Sequence, residues 1–447
     1  MAISGWFVLL LAFGAVPLVL FDDPLALVLW LVFAVLLAAI DLLLAASPRA
    51  LTLSRTVPAR LRLGETVETE LLVGNGGRRA LRGVIRDAWQ PSAGAQVTRS
   101  TINIPAGERR AVRTSLTPFR RGERRSAGVT VRSFGPLHLL ARQVTIDAPA
   151  VVRVLPPFNS RKHLPSRLAR LRELDGRTSV MIRGQGTEFD SLREYVRGDD
   201  VRSIDWRATA RRSGGAGHAE GTEAARRIDP TLVVRTWRPE RDRHVVIVVD
   251  SGRTSAARID REPRIDTAFE SALLLAALAS RAGDRVDLVI FDRRARGRVQ
   301  GATGADLLAQ MVDTMAPVEP ELIEMDWAAV PALVRTITSQ HSLVVLATSI
   351  DAPGASHGLL SVLPQLTRTH TVVVSSVTDP TVQEATRSRG NRAEVYRAAA
   401  AERALLDVAR VSAAIRQLGG EVVTGSPADL PPALADRYIA LKAAGRL

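Results

Sequence analysis

The chain has 447 residues, 46% of them hydrophobic and 4% aromatic, and carries a formal charge of +14. That length exceeds one ordinary domain and implies two or three folded units. There is no cysteine, which excludes disulfides and thiolate metal sites. Lys162 and Lys442 are the only lysines, so the basic excess is arginine. So uniform a bias reads as a codon habit of the genome rather than a nucleic-acid device.

Residues 3–21 are uncharged and mostly apolar, and after Asp22, Asp23 and Pro24 a second apolar run covers 25–46. Each run approaches the roughly 20 residues needed to cross a hydrocarbon core of about 30 Å. The short link leaves room only for a tight turn, which predicts an antiparallel transmembrane hairpin over residues 1–48. Arg49, Arg55, Arg60 and Arg62 follow the second run, and no basic residue precedes the first. The positive-inside rule then places both termini and the soluble domains in the cytoplasm of a plasma-membrane, multi-pass protein. A cleaved signal peptide would have a basic leading region and no second span behind it. Asp41, about 24 Å of helix rise beyond residue 25, is expected at the cytoplasmic interface beside Arg49 or a partner helix.

Residues 51–155 change character. Runs at 66–73, 111–116 and 128–131 alternate with strand period, separated by turn signals such as Gly74-Asn75-Gly76-Gly77. Short strands at that spacing predict a β-sandwich-like domain with no catalytic cluster. From Arg49 to Ala150 there are 18 arginines and 7 acidic residues, a charge that would face anionic headgroups. The arginines are scattered, with almost no aromatics among them for base stacking, so no specific nucleic acid is expected.

Pro156-Pro157 begins a linker and charged segment over 156–235. It includes a short basic helix at 166–174 and a glycine-rich loop at 213–220. Beyond it, 236–447 reads as a doubly wound α/β domain. Strands are predicted at 244–249, 286–291, 343–347, 371–377 and 421–423, and helices at 268–282, 306–315, 327–338 and 398–418. The alternation implies a parallel sheet with helices on both faces, and ligands beyond the strands' carboxyl ends.

The run Gly186-Thr187-Glu188-Phe189-Asp190-Ser191-Leu192-Arg193-Glu194-Tyr195, then Gly198-Asp199-Asp200 and Ile204-Asp205-Trp206-Arg207-Ala208-Thr209-Ala210-Arg211, resembles the signature of the domain of unknown function 58 family. The strand ending in Asp250 resembles the von Willebrand factor A fold of those proteins, and Tyr438 to Lys442 resembles their ending. The resemblance covers nearly the whole chain. It implies a partnership with a MoxR-type AAA+ ATPase, because bacterial proteins of the family are commonly encoded beside one.

Von Willebrand A domains often bind Mg²⁺ through an Asp-x-Ser-x-Ser loop, with a threonine and an aspartate from two further loops. Here the first loop is Asp250-Ser251-Gly252-Arg253-Thr254, Thr303 is offered as the second-loop ligand, and Ser349 stands where the third-loop aspartate would fall, with Asp351 two residues late. The resemblance therefore implies a degenerate site of Asp250, Thr254, Thr303 and Asp351. The alternative is a metal-free domain in which Asp250 pairs with Arg253 or caps nearby backbone, because Mg²⁺ demands near-ideal octahedral geometry.

Glu188, Asp190, Arg193, Tyr195, Asp199, Asp200, Asp205, Trp206 and Arg207 are expected to form a partner-contact segment in which carboxylates pair with arginines. The chain lacks a phosphate-cradling glycine loop with lysine, a His-Glu-x-x-His motif and a nucleophile elbow. The expected function is a non-catalytic, membrane-anchored adaptor working with the ATPase in protein assembly or maturation. The alternative is a Mg-dependent, hydrolase-like enzyme using Asp250 and the signature carboxylates.

Overall fold

The computed structural model describes residues 1–21, 23–181, 188–196, 201–214, 232–238, 243–260 and 262–447. It forms two compact units, Met1–Pro157 with Val312–Glu319 and Phe158–Met311 with Pro320–Leu447.

In the first unit the helix Pro24–Leu44 starts where Asp23 accepts the Leu25 amide at 2.8 Å, with Pro24 at the first helical position. Its 21 residues rise about 31 Å, close to the hydrocarbon thickness. Among the described residues it is the one helix long and apolar enough to cross a membrane, with a mean hydropathy of 2.8. The preceding apolar run differs from the single span expected. It breaks into two shorter helices, Gly5–Ala12 and Ala15–Phe21. Gly14 lies at the break, and Pro17 just beyond it has no amide hydrogen for the helical ladder. Gly14 also admits Trp30, since a Cβ there would lie 2.7 Å from the indole ring. The Trp30 indole N–H donates to the Leu10 carbonyl at 3.1 Å, so the two apolar segments pack together.

The Asp41 carboxylate is held by backbone of the β-region, partners that the sequence did not suggest. Asp41 is fully buried, and its carboxylate accepts backbone amides from Leu137 at 2.7 Å, Leu139 at 2.8 Å and Leu140 at 3.2 Å. A Cβ on Gly135 would sit 2.2 Å from the Asp41 carboxylate, so only glycine permits this approach. The chain start meets the same turn, because Ala2–Ile3 pairs antiparallel with Leu140 and Ala141.

The rest of this unit is β-rich. A three-stranded sheet holds Leu51–Thr56, Val67–Asn75 and Arg109–Leu116, and a seven-stranded sheet is organised on the long strand Gly122–Phe134. Alternate residues point inward, so Leu71, Val73 and Val112 of the smaller sheet share a core with Leu81, Ile85, Ile104, Val129 and Val131 of the larger. Arg55 crosses between the sheets to Asp87 through two hydrogen bonds, at 2.8 and 3.1 Å.

In the second unit six strands run in the order Ala295–Val299, Arg285–Phe291, His244–Asp250, Leu343–Ala347, Thr371–Val377, Glu421–Gly425. All neighbours are parallel except the first pair. His244–Asp250 is buried along its whole length, the pattern of a strand covered on both faces. Helices Arg264–Arg281 and Leu430–Ala443 pack on each other. Val330–Ile337, His357–Thr367 and Arg392–Gln417 contribute Val334, Leu363 and Ile415 to a core with Val246, Val344 and Val374. His244–Asp250 is central, with the connections leaving it in both directions, so Asp250 ends at the switch point of the sheet.

Candidate functional site

Asp250 is 3% exposed, and the chain itself occupies both its carboxylate oxygens. One accepts the Gly252 amide at 2.7 Å, and the other accepts hydroxyls from Thr348 at 2.7 Å and Thr254 at 3.4 Å. Burial pushes the Asp250 carboxyl above its ordinary value, against these hydrogen bonds, and the nearby Asp292 charge adds to the rise. Thr348 is a partner that sequence reasoning missed. It directly follows the strand Leu343–Ala347, a position where a hydroxyl could have been anticipated.

The loop after Asp250 is shaped by a segment from elsewhere. The Ile323 carbonyl accepts the Arg253 amide at 2.8 Å, and Glu321 donates its amide to the Ser251 carbonyl at 2.8 Å. A Cβ on Gly252 would be 2.8 Å from the Ile323 carbonyl. The position where an adhesion-type loop carries a serine is therefore one where a side chain would collide. Ser251 turns the other way, and its hydroxyl donates to Asp292 at 3.2 Å. Asp292 also accepts Arg293 and Arg294 amides and the Arg296 guanidinium. Burial alone would raise its carboxyl, and these donors together hold it below the ordinary range.

Thr303 is not at this place. The edge strand Ala295–Val299 runs antiparallel, so Val299 is paired with Leu288 and the chain leaves at the amino end of the parallel strands. There the Gly301 amide donates to Asp287 at 2.9 Å, two residues before Thr303. The segment that does return to Asp250 is 321–326. Asp351 lines the small cavity beside Asp250. It accepts the Ser349 hydroxyl at 2.9 Å and lies 3.5 Å from Arg264. Arg253 pairs with Glu324, both well exposed, rather than with Asp250.

These residues do not fit a Mg²⁺ centre. Asp250 is the buried carboxylate of this cavity wall, its charged form is disfavoured, and protein donors occupy both its oxygens. The cavity of about 20 Å³ admits one water. Among the described residues no group of three or more His, Asp or Glu side chains could hold a metal. Asp250 acts here as a backbone cap that closes its own loop.

The signature segment is a separate small assembly. Strand Glu188–Glu194, which carries Glu188, Asp190 and Arg193, pairs antiparallel with Val233–Arg238. Tyr195 donates its amide to the Leu232 carbonyl at 2.7 Å. Asp199 and Asp200 lie outside the described residues. Asp205 caps the helix Trp206–Gly214, accepting the amides of Arg207 at 2.9 Å and Ala208 at 3.0 Å. Its other oxygen takes the Arg235 guanidinium at 2.7 Å. The Ala208 amide and then Arg235 hold its carboxyl below the ordinary range. Trp206 is 67% exposed, and Leu192, Val196 and Val201 are exposed as well.

A cavity of about 610 Å³ was not foreseen from the sequence. Its wall includes Ser160, Lys162, His163, Glu262 and Glu270. Glu270 is buried and accepts the Ser160 amide, and Glu262 accepts the Thr267 hydroxyl at 2.8 Å. These residues come from distant parts of the chain and carry no local motif.

A family described as protein of unknown function DUF58 matches residues 191–417. No curated protein matches the chain. Among solved structures, the CARDB domain of a Pyrococcus furiosus protein, titled as a complex with di-metal ions, is 17% identical. It covers 25% of this chain and 94% of its own, with a TM-score of 0.18. A β-glucosidase from Listeria innocua is 19% identical over 24% of this chain and 16% of its own, with a TM-score of 0.16. At those scores neither likeness carries an argument.

Proposed function

The chain belongs to the DUF58 family, and from that premise we propose that it is a membrane-anchored adaptor whose signature segment docks a cytoplasmic AAA+ ATPase of MoxR type. The observation that carries the reading is the exposure of Trp206, at 67%, together with Leu192, Val196 and Val201. Large apolar side chains left in solvent beside a well-capped helix are what a protein-binding surface needs at its centre. The identity of the partner comes from the family resemblance.

Three further features support the arrangement. Both ends of the apolar segment meet at one turn: Ala2–Ile3 pairs with Leu140 and Ala141, and Asp41 is held by amides of Leu137, Leu139 and Leu140. If Pro24–Leu44 spans the membrane, residues 5–21 must return across it, which supports a hairpin despite the broken first run. The arginines behind it favour a cytoplasmic β-region. The strand order, with one antiparallel edge, supports a von Willebrand A-like sheet in the second unit.

Photo-cross-linking in native membranes with a reactive residue at position 206 tests the proposal. An AAA+ ATPase is the expected product. Its absence, with the full-length protein present and membrane-bound, would remove the reading. The metal-dependent enzyme reading is opposed by the closure of Asp250 on its own loop and by the use of Asp205 as a helix cap and arginine partner.

A further inference from the structure

We propose that a cavity of about 230 Å³ at the foot of the Pro24–Leu44 helix binds the phosphate headgroup of an anionic phospholipid. The inference rests on reading that helix as a membrane span. The wall is made by the chain leaving the helix, including Leu43 and Ser47, by the turn at Asn75 and Gly77, and by Arg78, Arg79 and Arg142. Three guanidinium groups line it and no carboxylate does.

The depth is right. A helix about 31 Å long places its last turn where hydrocarbon gives way to headgroups, so the cavity opens at phosphate level. The wall is also built rather than incidental. The Asn75 amide nitrogen donates to the carbonyls of Arg79, Ile104 and Pro105, and its oxygen accepts the Gly77 amide, which fixes the turn carrying Arg78 and Arg79.

Two of the arginines have a second use. Arg79 donates one N–H to the Leu43 carbonyl at 2.7 Å, and Arg142 donates its Nε–H to the Leu42 carbonyl at 3.0 Å. Both carbonyls lie in the last turn of a helix, where no intrahelical donor remains. Helix capping would account for these two bonds alone. Arginine has five N–H donors, so among the described residues each fork keeps further donors free for an anion. Helix capping also leaves out Arg78, which among the described residues makes no hydrogen bond or ion pair. The helix end carries only about half a negative charge, against three guanidiniums. The excess cation suits an anion that is not part of the chain.

The test uses the full-length protein reconstituted in nanodiscs of phosphatidylcholine with or without phosphatidylglycerol, then released into mild detergent for native mass spectrometry. Wild type is expected to retain phosphatidylglycerol in preference to phosphatidylcholine. An Arg78→Gln, Arg142→Gln variant is expected to lose about thirtyfold of that preference, while Arg99→Gln, at a residue that does not line the cavity, keeps it. Arg78→Gln alone, at a side chain that bonds to none of the described residues, keeps the fold and is expected to show part of the loss. Equal retention of both lipids, or an unchanged preference in the double variant, overturns the site. Displacement of the lipid by millimolar inorganic phosphate reassigns it to a soluble phosphate and also overturns the proposal. Loss of the protein from membranes on alkaline washing would instead defeat the membrane reading, a result separable from lipid preference in embedded protein.

Discussion

The carboxylate of Asp41, near the end of the apolar helix, accepts the backbone amide of Leu139 at 2.8 Å in a fully buried setting. With Leu137 and Leu140 donating to the same group, one side chain binds the helix to the β-region. A carboxylate receiving several amides is an anion nest assembled from a turn. A turn ninety-odd residues away in sequence is thus fixed at the end of the apolar helix.

Asp41→Ala should leave these amides without an acceptor. Each buried donor left unsatisfied costs about 1–3 kcal/mol. The helix should still form, because alanine favours helix over aspartate. Hydrogen exchange at Leu137, Leu139 and Leu140 should accelerate, and limited proteolysis should open the β-region more readily. Unchanged protection of those amides would show that the nest does not hold the turn.

Asp87 should be the least tolerant carboxylate of the β-region. It faces Arg55, both side chains being 6% exposed, and also accepts the Trp89 indole N–H at 2.9 Å and the Ser126 hydroxyl at 3.0 Å. Asp87→Ala strands a buried guanidinium, which typically costs about 3–5 kcal/mol. A paired Arg55→Met, Asp87→Leu variant removes both charges and should recover most of that loss. Chemical denaturation of the two variants decides it: equal damage would mean the ion pair is not the source.

Asp250 gives a pH prediction of definite sign. Burial raises its carboxyl above the ordinary 3.8, so the unfolded chain releases this proton before the folded chain does. Between those two values the folded state holds more protons, and stability falls as pH rises. The cost is absent below the unfolded value and complete above the folded one. Asp250→Asn cannot ionise and removes that slope. Urea unfolding of wild type and variant from about pH 4 to about pH 7 should therefore show the difference moving in the variant's favour. Any constant loss from altered hydrogen bonding cancels in the trend, and a flat difference would reject the burial argument.

What was legible in the sequence follows from how each element is covered. His244–Asp250, Leu343–Ala347 and Thr371–Val377 are buried along their whole length, so each has an apolar, mostly β-branched run at its centre. Ala295–Val299 is an edge strand of sequence Ala-Arg-Gly-Arg-Val with only Val299 buried, and it has no such signature. That omission displaced Thr303. A strand running the wrong way delivers the next loop to the opposite edge, while 321–326 comes back to Asp250. The helix His357–Thr367 contains Pro364, which argues locally against a helix until its packing on the sheet is known. The partners of Asp41 and the wall of the large cavity are non-local and have no spacing to read.

Trp206 separates structure from function most directly. At 67% exposure it contributes little to the core, and the helix it begins is capped by Asp205 through the amides of Arg207 and Ala208. Trp206→Ala should therefore change stability by no more than about 0.5 kcal/mol, the range of surface substitutions. If the side chain is the centre of a docking surface, the same change should weaken recovery of the ATPase by tenfold or more, a loss of about 1.4 kcal/mol or greater. Asp205→Asn makes the contrasting case. It keeps the exposed apolar groups but weakens the cap and the Arg235 contact, so it should perturb folding of the segment first. Co-purification from detergent extracts, with thermal unfolding of the same preparations, distinguishes them. A Trp206→Ala protein that binds as well as wild type would leave the exposed side chains without a role in docking.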